Sequence, residues 1–359
     1  MVKIRVAKRN SIENWKALSI RFGSVIAAFI VAALFIMAMG HNPIEVYSSM
    51  LIGGLGSEYA IKETIIKSVP LLIAGLGIAI AFKMKFWNIG AEGQLVMGAF
   101  GASFIALNFG NVPKFILIPL MALAAIICGG FWAMIPAFFK AKFKTNETIF
   151  TLMLNYIAIK WVTYLQYGPW KDPNAMGFPK IAGFSDNAVL PKVFGVHIGV
   201  YAALLLAVII YIFIKHTKRG YEISVIGESE KTAEYAGMNV SKIIISTIFL
   251  SGAICALAGM IQVSGVSKTL EVGIASGNGF TAIIIAWLSN LNPVVMVIIS
   301  FLFAAMVQGS QYIQMAFGIP QSAAYILQGM ILFFILGAQF FINYRLYFTF
   351  GKGGEKNGN

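Results

Sequence analysis

The 359-residue chain is poor in charged residues and in residues that bind metals. Asp, Glu, Lys and Arg make up only 11% of it, whereas they make up about 25% of a typical soluble domain. There are three histidines and two cysteines, and both cysteines, Cys128 and Cys255, lie inside apolar runs. This composition argues against a disulfide framework. We expect no metal site and no cofactor bound by this chain.

The sequence also lacks the motifs of nucleotide binding and of nucleophilic catalysis. No Gly-x-x-x-x-Gly-Lys-Ser/Thr loop occurs, so the chain has no Walker-A site for ATP. No Ser/His/Asp or Cys/His arrangement is suitably placed, and Lys160 is the one ionisable residue that lies clearly inside an apolar run. Proton-driven carriers generally need Asp, Glu or His inside their spans. We therefore expect neither an enzyme nor a proton-driven pump, and any energy for work must come from another subunit.

What the chain has in abundance is apolar residues. They make up 58% of the sequence, and the mean hydropathy is +0.80. The net charge of +13 could suggest nucleic-acid binding, but such proteins cluster Lys and Arg on a soluble face. Here the basic residues lie in short breaks between apolar runs, as they do in cytoplasmic loops of membrane proteins. The composition predicts an all-α fold, a polytopic transmembrane helical bundle, and no nucleic-acid partner.

Ten apolar segments are candidate membrane spans, because a spanning helix needs about 20 mainly apolar residues. They are residues 18–39, 65–82, 94–109, 115–139, 148–168, 198–214, 243–264, 279–289, 294–317 and 323–342. The third is marginal in length. Segment 279–289 is too short to cross alone, so we expect it to cross with residues 275–278 as a broken helix.

The distribution of basic residues predicts the orientation. With the N-terminus in the cytoplasm, 19 of the 27 Lys and Arg lie inside, as the positive-inside rule requires. The expected organisation is a cytoplasmic tail (1–21), a membrane domain (22–345) and a second cytoplasmic tail (346–359). Within the membrane domain, 169–197 is an extracytoplasmic loop and 215–242 a cytoplasmic one. The chain is thus expected in the cell (inner) membrane with both termini inside.

Part of the sequence looks duplicated. Four small residues recur 184 positions later: Ala74, Gly75, Ala91 and Gly93 match Ala258, Gly259, Ala275 and Gly277. Five spans separate the two copies, so they would have opposite orientations, as in transporters built from inverted repeats with broken helices. Small residues are also common wherever membrane helices approach closely, so a chance match stays open beside the prediction of two inverted five-helix repeats.

Segment 86–94 (FWNIGAEGQ) is a polar cluster between the second and third spans. Its two glycines permit a sharp break in the backbone, and Asn88, Glu92 and Gln94 place donors and acceptors beside it. A broken helix at membrane depth is tolerated only where it faces protein or a water-filled cavity. The cluster therefore either lines a path for a polar solute or forms an interfacial loop with a Trp anchor and a solvated Glu92.

Two further polar clusters occur. Thr145 and Asn146 are candidate N-caps of the fifth span, and Asn155 lies inside that span, where a buried amide must find a partner. In the loop 215–242, residues 229–237 predict a short helix that begins at Ser229 and ends before Gly237. That helix either docks into a partner or is a solvated loop helix.

These segments resemble a known family. FWNIGAEGQ is closely similar to the signature of permease subunits of bacterial ABC importers for nucleosides, within the wider simple-sugar and branched-chain amino-acid permease family. Segments 144–147 (KTNE), 152–158 (LMLNYIA) and 275–283 (ASGNGFTAI) also fit. Residues 227–233 with Ala236 and Gly237 resemble the cytoplasmic segment that meets the ATPase, although Glu228 stands where relatives often carry Asn. The resemblance covers about residues 61–345.

The resemblance implies a transport subunit with several partners. These are a cytoplasmic ABC ATPase that binds ATP and Mg, a second related permease, and an extracytoplasmic nucleoside-binding protein or lipoprotein. The candidate solute-path residues are Asn88, Glu92, Gln94, Asn155 and Asn278. The candidate ATPase-coupling residues are Gly227, Ser229, Ala233, Glu234, Ala236 and Gly237.

The expected function is permeation of nucleosides, which are neutral and so need no charged groups along their path. A permease for simple sugars such as ribose is the nearest alternative, because ribose is part of every nucleoside. A stand-alone secondary carrier built on the same inverted repeat is the alternative that needs no partner.

Overall fold

A computed structural model describes residues 2–8, 13–173, 175–320 and 322–350. Over these residues the chain is mostly helical, in agreement with the composition. The helices are α1 (Asn14–Ala38), α2 (Pro43–Leu55), α3 (Glu58–Lys83), α4 (Ala91–Asn108), α5 (Lys114–Phe143), α6 (Glu147–Tyr167), α7 (Gly199–His216), α8 (Lys218–Glu228), α9 (Glu230–Tyr235), α10 (Val240–Ile261), α11 (Asn278–Leu288), α12 (Pro293–Phe317) and α13 (Ser322–Asn343). A π-helix, Gln262–Ser267, continues α10.

Each of the ten apolar segments coincides with one of these helices, but the fold is not purely helical. The strands are β1 (Val2–Lys8), β2 (Lys192–Val193), β3 (Val196–His197) and β4 (Tyr344–Phe350). β1 pairs antiparallel with β4, from Val2 opposite Phe350 to Lys8 opposite Tyr344. β1 and β4 lie in or next to the regions expected to be tails, whereas β2 and β3 lie in the loop before α7. The sequence analysis predicted none of the four strands, nor α2 and α8.

Six helices in the described residues are long and apolar enough to cross a membrane, and they include α3, α5, α6, α7 and α12. The sixth is α10 together with its π-helix. A seventh crossing is possible if α1 and α2, which meet at 110°, form one broken span. Ten crossings remain a prediction.

The chain divides into two compact units. In the smaller unit, made of the described residues of 1–51 and 310–359, α1 packs against α13. Tyr47 of α2 donates a hydrogen bond of 2.7 Å to the carbonyl oxygen of Phe29 in α1, and the rings of these two residues meet edge to face.

In the larger unit, residues 52–309, α3 and α10 form the centre. In the most apolar stretch of each helix, 83% of the residues of α3 and 72% of those of α10, with its π-helix, are buried. The corresponding share for α7 is 22%. Helices α4 and α5 complete the core around α10. The small residues that suggested a repeat explain part of this packing: Gly259 of α10 lies against the backbone of Leu95 and Ala99 in α4.

Two ordered regions cap the opposite ends of the larger unit. At one end the loop before α7 is tied to the π-helix: the amide of Leu190 donates to the carbonyl oxygen of Ser264 at 3.1 Å, and the Ser264 hydroxyl donates to Ala188. At the other end, α8 and α9 lie where α3 ends, because Gly227 packs on the carbonyl group of Lys83.

The close contact between α4 and α10 leads to a stability prediction. A methyl group on Gly98 would overlap the carbonyl oxygen of Ala256, and one on Gly259 would overlap that of Leu95. Overpacking of this kind costs about 1–3 kcal/mol. Gly98→Ala and Gly259→Ala should each lower the midpoint of thermal aggregation of the purified, detergent-solubilised protein. Gly273→Ala, at a position with open space, is the control and should leave the midpoint unchanged.

Candidate functional site

The predicted backbone break between α3 and α4 is present, and its amide side chains are buried, whereas Lys85 and Trp87 within it are exposed. Asn88 and Gln94 form a reciprocal amide pair: Asn88 Nδ2 lies 3.1 Å from Gln94 Oε1, and Gln94 Nε2 lies 2.9 Å from Asn88 Oδ1. Asn88 Nδ2 also donates to the hydroxyl of Ser251 in α10, which donates in turn to the carbonyl oxygen of Gly77 in α3. The amide pair thus joins the break to both central helices.

Asn155 of α6 finds the partners that a buried amide requires. Its Oδ1 accepts from the amide of Gly93 at 2.8 Å, and its Nδ2 donates to the carbonyl oxygen of Ile89 at 2.9 Å. One turn earlier on the same helix face, the Thr151 hydroxyl accepts from the amide of Ile89. The buried face of α6 therefore supplies partners to backbone groups of Ile89 in the break and to the amide of Gly93 in the first turn of α4, where a helix offers no partner of its own.

Glu92 joins two segments that are far apart in the sequence. Its Oε1 accepts from the amide of Gly277 at 2.8 Å, and its Oε2 accepts from the amide of Gly279 at 2.7 Å. The residue is 4% exposed, so the expectation of a solvated Glu92 is wrong, while the interfacial position of the loop, with Trp87 46% exposed as its anchor, stays a prediction. The carboxylate instead caps the amino end of α11, where negative charge is stabilised by unpaired amides and the helix dipole.

The segment before α11 is irregular. Residues 275–277 form turns, and the helix begins at Asn278. Ser276 and Gly277 both have positive φ, 48° and 78°, which an α-helix cannot contain. The helix thus includes Asn278 but not residues 275–277, and a membrane crossing by residues 275–289 as a broken helix stays a prediction. Asn278 itself is half-buried at the start of α11.

The structure thus brings four of the five candidate path residues into one buried region. Asn88, Gln94 and Asn155 surround the break, Glu92 caps α11, and Asn278 lies in the turn that Glu92 caps. Their hydrogen bonds hold backbone segments together. Contact with a solute stays a prediction for all five.

Asn146 is the N-cap of α6. Its Oδ1 accepts from the amides of Thr148 and Ile149, whereas the hydroxyl of Thr145 has no hydrogen-bond partner. Glu147 lies in the first turn and forms a salt bridge of 2.8 Å with Lys140 at the end of α5. Capping and this ion pair account for the cluster.

The predicted helix in the loop 215–242 is confirmed as α9, and the Ser229 hydroxyl caps it by accepting from the amide of Thr232 at 3.2 Å. Of the six candidate coupling residues, Gly227 and Ala233 are buried, Ser229 is half-buried, and Glu234, Ala236 and Gly237 are exposed. Ala233 has no exposed surface, so it cannot contact a partner in this conformation. An Asp at position 233 would disturb the packing of α9 itself.

Tyr235 is a residue that the candidate set omitted. It is 92% exposed at the end of α9, beside the exposed residues of the coupling set. Only its apolar character within a short loop helix hinted at it. Lys144, at the end of α5, forms a salt bridge of 3.2 Å with Glu230 of α9, which fixes α9 against the end of the bundle.

The described residues offer no metal centre, since no three His, Cys, Asp or Glu side chains among them converge. Glu92 is the acidic residue of the polar network, and both of its carboxylate oxygens already accept hydrogen bonds from backbone amides.

The Glu92 contacts generate a prediction. Glu92→Ala leaves the amides of Gly277 and Gly279 without acceptors, and an unsatisfied buried donor costs about 1–3 kcal/mol. We expect a lower thermal midpoint in detergent, with a smaller effect for Glu92→Gln, which keeps one acceptor oxygen. Glu271→Ala removes an exposed carboxylate from the same segment and serves as the control. Equal midpoints for Glu92→Ala and the control would contradict the capping role.

Comparison with known proteins assigns the family. Residues 60–336 match the family described as branched-chain amino acid transport system / permease component. The glucose ABC transporter permease protein TsgB13 of Haloferax volcanii is 32% identical over 99% of this chain and 96% of that protein. The guanosine ABC transporter permease protein NupP of Bacillus subtilis is 30% identical over 94% of this chain and 96% of that protein. The nucleoside ABC transporter permease protein NupB of Lactococcus lactis is 29% identical over 87% and 88%. This chain therefore belongs to the family of ABC transporter permease components, which are multi-pass membrane transport subunits and not enzymes.

Proposed function

We propose that this chain is the membrane-spanning subunit of a nucleoside importer driven by ATP hydrolysis in a partner. The observation that carries the proposal is the similarity, over 94% and 87% of the chain, to permeases named for guanosine and for nucleosides. The chemistry of the network agrees with a neutral solute. Its side chains are amides and hydroxyls, apart from a carboxylate that is occupied by the amino end of α11.

The proposed topology has ten spans, both termini in the cytoplasm, and two inverted repeats. The order of elements supports the repeat: α3, α4 and α5 are followed 184 residues later by α10 with its π-helix, α11 and α12. The two most buried spans, α3 and α10, occupy equivalent places in the two copies. Glu92 of one copy binds Gly277, which is the counterpart of Gly93 in the other.

In this topology α8 and α9 face the cytoplasm, and the loop before α7 faces the exterior. We assign the exposed end of α9, with Glu234, Tyr235, Ala236 and Gly237, to contact with the ATPase. Gly227, Ser229 and Ala233 hold this surface in place through packing and capping. ATP and Mg belong to the ATPase, while a second related permease and an extracytoplasmic nucleoside-binding protein complete the importer.

For the polar network we propose two roles along the solute path. Asn88, Glu92, Gln94 and Asn155 fix the broken backbone and, through Asn155, the rotation of α6 about its axis. Asn278 is only half-buried, so its amide is the member of the set best placed to contact the solute.

A sugar importer is the second candidate. It is favoured by the 32% identity to a permease named for glucose, which spans 99% of this chain. Ribose is common to both classes of solute, so the two candidates share most of the polar chemistry required.

Uptake by the reconstituted importer tests the function. The test uses proteoliposomes that hold this chain with its cognate permease, ATPase and binding protein. They should accumulate labelled guanosine or uridine only when ATP is enclosed in the lumen, on the side of the membrane where the ATPase lies. Unlabelled nucleosides should compete, whereas glucose and ribose should not. Competition by a sugar alone would establish the sugar candidate, and uptake by this chain alone would contradict dependence on an ATPase.

The exposed end of α9 yields a separate prediction. Tyr235→Ala removes a side chain that is 92% exposed, so it should leave the thermal midpoint unchanged. It should weaken co-purification of the ATPase and reduce ATP-driven uptake several-fold, because exposed aromatic residues are frequent anchors of protein interfaces.

Tyr59→Ala is the matched control, since Tyr59 is also well exposed but lies at the start of α3, on the opposite predicted side of the membrane. Normal co-purification of the ATPase by the Tyr235 variant would contradict the assignment of this surface.

A further inference from the structure

Lys160 is the feature of α6 that the proposed function leaves unexplained. It lies inside a helix long and apolar enough to span the membrane, seven residues before the end at Tyr167. Its side chain is exposed, and it takes part in none of the salt bridges among the described residues. An ionisable residue inside a span is costly in lipid and normally faces a protein partner or a water-filled cavity.

Lys160 belongs to a continuous exposed stripe. Met153, Tyr156, Lys160, Tyr164 and Tyr167 follow one another at intervals of three or four residues, so they share one face of α6. The methionine and the three tyrosines are each 60–64% exposed. We name this set the α6 stripe.

The opposite face of α6 is buried. It consists of Thr151, Leu154, Asn155, Ala158, Val162 and Leu165. Because Asn155 is bonded to the backbone on both sides of the break, the rotation of α6 about its axis is fixed. The α6 stripe is therefore held pointing away from the core of its own subunit.

The α6 stripe carries a lysine and three tyrosines, and the exposed side chains of Ile149 and Ile157 lie on the same side of the helix. Over its central part, from Ala202 to Ile212, α7 exposes only Ala202 and aliphatic side chains of Leu, Val and Ile, while Tyr201, Lys215 and His216 are exposed at its two ends. Lys160 also cannot easily reach the nearer membrane surface. The end of α6 is about 10 Å away at 1.5 Å per residue, and side chains on a helix lean toward its amino end, which is the farther one.

From these observations we propose that the α6 stripe lines the solute pathway, and that Lys160 donates hydrogen bonds to acceptor atoms of a nucleoside while the tyrosine rings stack on its base. The ligand chemistry follows from the residues. An ammonium group is a donor without acceptor capacity, and aromatic rings stack on nucleobases, which all present a π-face. The choice of a nucleoside rests on the proposed function, whereas the placement of the stripe in the pathway does not.

Labelling of single cysteines tests the placement. Tyr156→Cys, Lys160→Cys and Tyr164→Cys are made in the full importer in proteoliposomes and treated with a water-soluble, charged methanethiosulfonate reagent. Val208→Cys in α7 is the matched control, being exposed on an aliphatic face. The unsubstituted chain gives the background of Cys128 and Cys255, which are half-buried and buried. Mass spectrometry of this chain measures the modification.

The reagent attacks thiolates, and a thiol in lipid stays protonated. We therefore expect the three stripe cysteines to react at least about tenfold faster than the cysteine at position 208. Guanosine with its binding protein should slow their reaction. Equal, slow labelling at positions 160 and 208 would overturn the proposal, because the stripe would then face lipid or a dry interface with the second permease.

Uptake tests the role of the ammonium group. A hydrogen bond to a charged group contributes about 1.5–3 kcal/mol, so Lys160→Met should reduce nucleoside uptake about ten- to hundredfold. Lys160→Arg should retain most of it. Tyr156→Leu should reduce uptake, and Tyr156→Phe should not.

Full uptake by Lys160→Met would overturn the binding role. If the unsubstituted importer takes up a sugar and no nucleoside, the proposed function and the choice of ligand both fail, and labelling still decides whether the stripe lines the pathway.

Discussion

The larger unit depends on one constraint, which is that backbone polar groups inside an apolar environment must find partners within the protein. A helix satisfies this requirement by itself, but the break between α3 and α4 and the turns before α11 do not. The side chains of Asn88, Asn155 and Glu92 take over this task, and each does so by bonding to backbone of another segment or across the break. The positions of α6 and α11 follow from these bonds, since both helices supply or receive a partner at the break.

The same constraint divides the polar residues into two kinds of role. Residues on the buried face of α6 have their hydrogen-bonding capacity taken up by the protein, which suits them to holding the backbone in place. Residues on the exposed face of α6 have donors and acceptors that are available to an external partner. A lone ionisable residue such as Lys160 is informative for this reason: none of the described salt bridges neutralises it, and the proposal gives it a partner outside its own subunit.

The sequence could predict the long helices because their apolar runs are long and uninterrupted, and each of those runs is a helix here. It could not predict α8, whose mixed polar and apolar residues form a helix by packing on the end of the bundle. Capping by Ser229 and Asn146 was predictable because a cap and its helix are neighbours in sequence. The partner of Glu92 was not, because Gly277 lies 185 residues away. Local composition also could not separate Ala233, which is buried, from Ala236, which is exposed. The stripe of α6 is visible as a periodicity, but only the bonds of Asn155 reveal which face points outward.

The uneven burial of the helices has a consequence for how the chain tolerates change. Helices α3 and α10 meet other helices on nearly every side, so the size of a residue decides whether it fits there. Small polar residues such as Ser251 are accepted in α10 as readily as alanine when a neighbouring carbonyl takes up the hydroxyl. Helix α7 has the reverse demand, because its outer side chains are exposed and touch few residues of this chain, so their shape is less constrained than their apolar character. Among relatives with this fold, side-chain volume should therefore be conserved in α3 and α10, and apolar character in the outer face of α7.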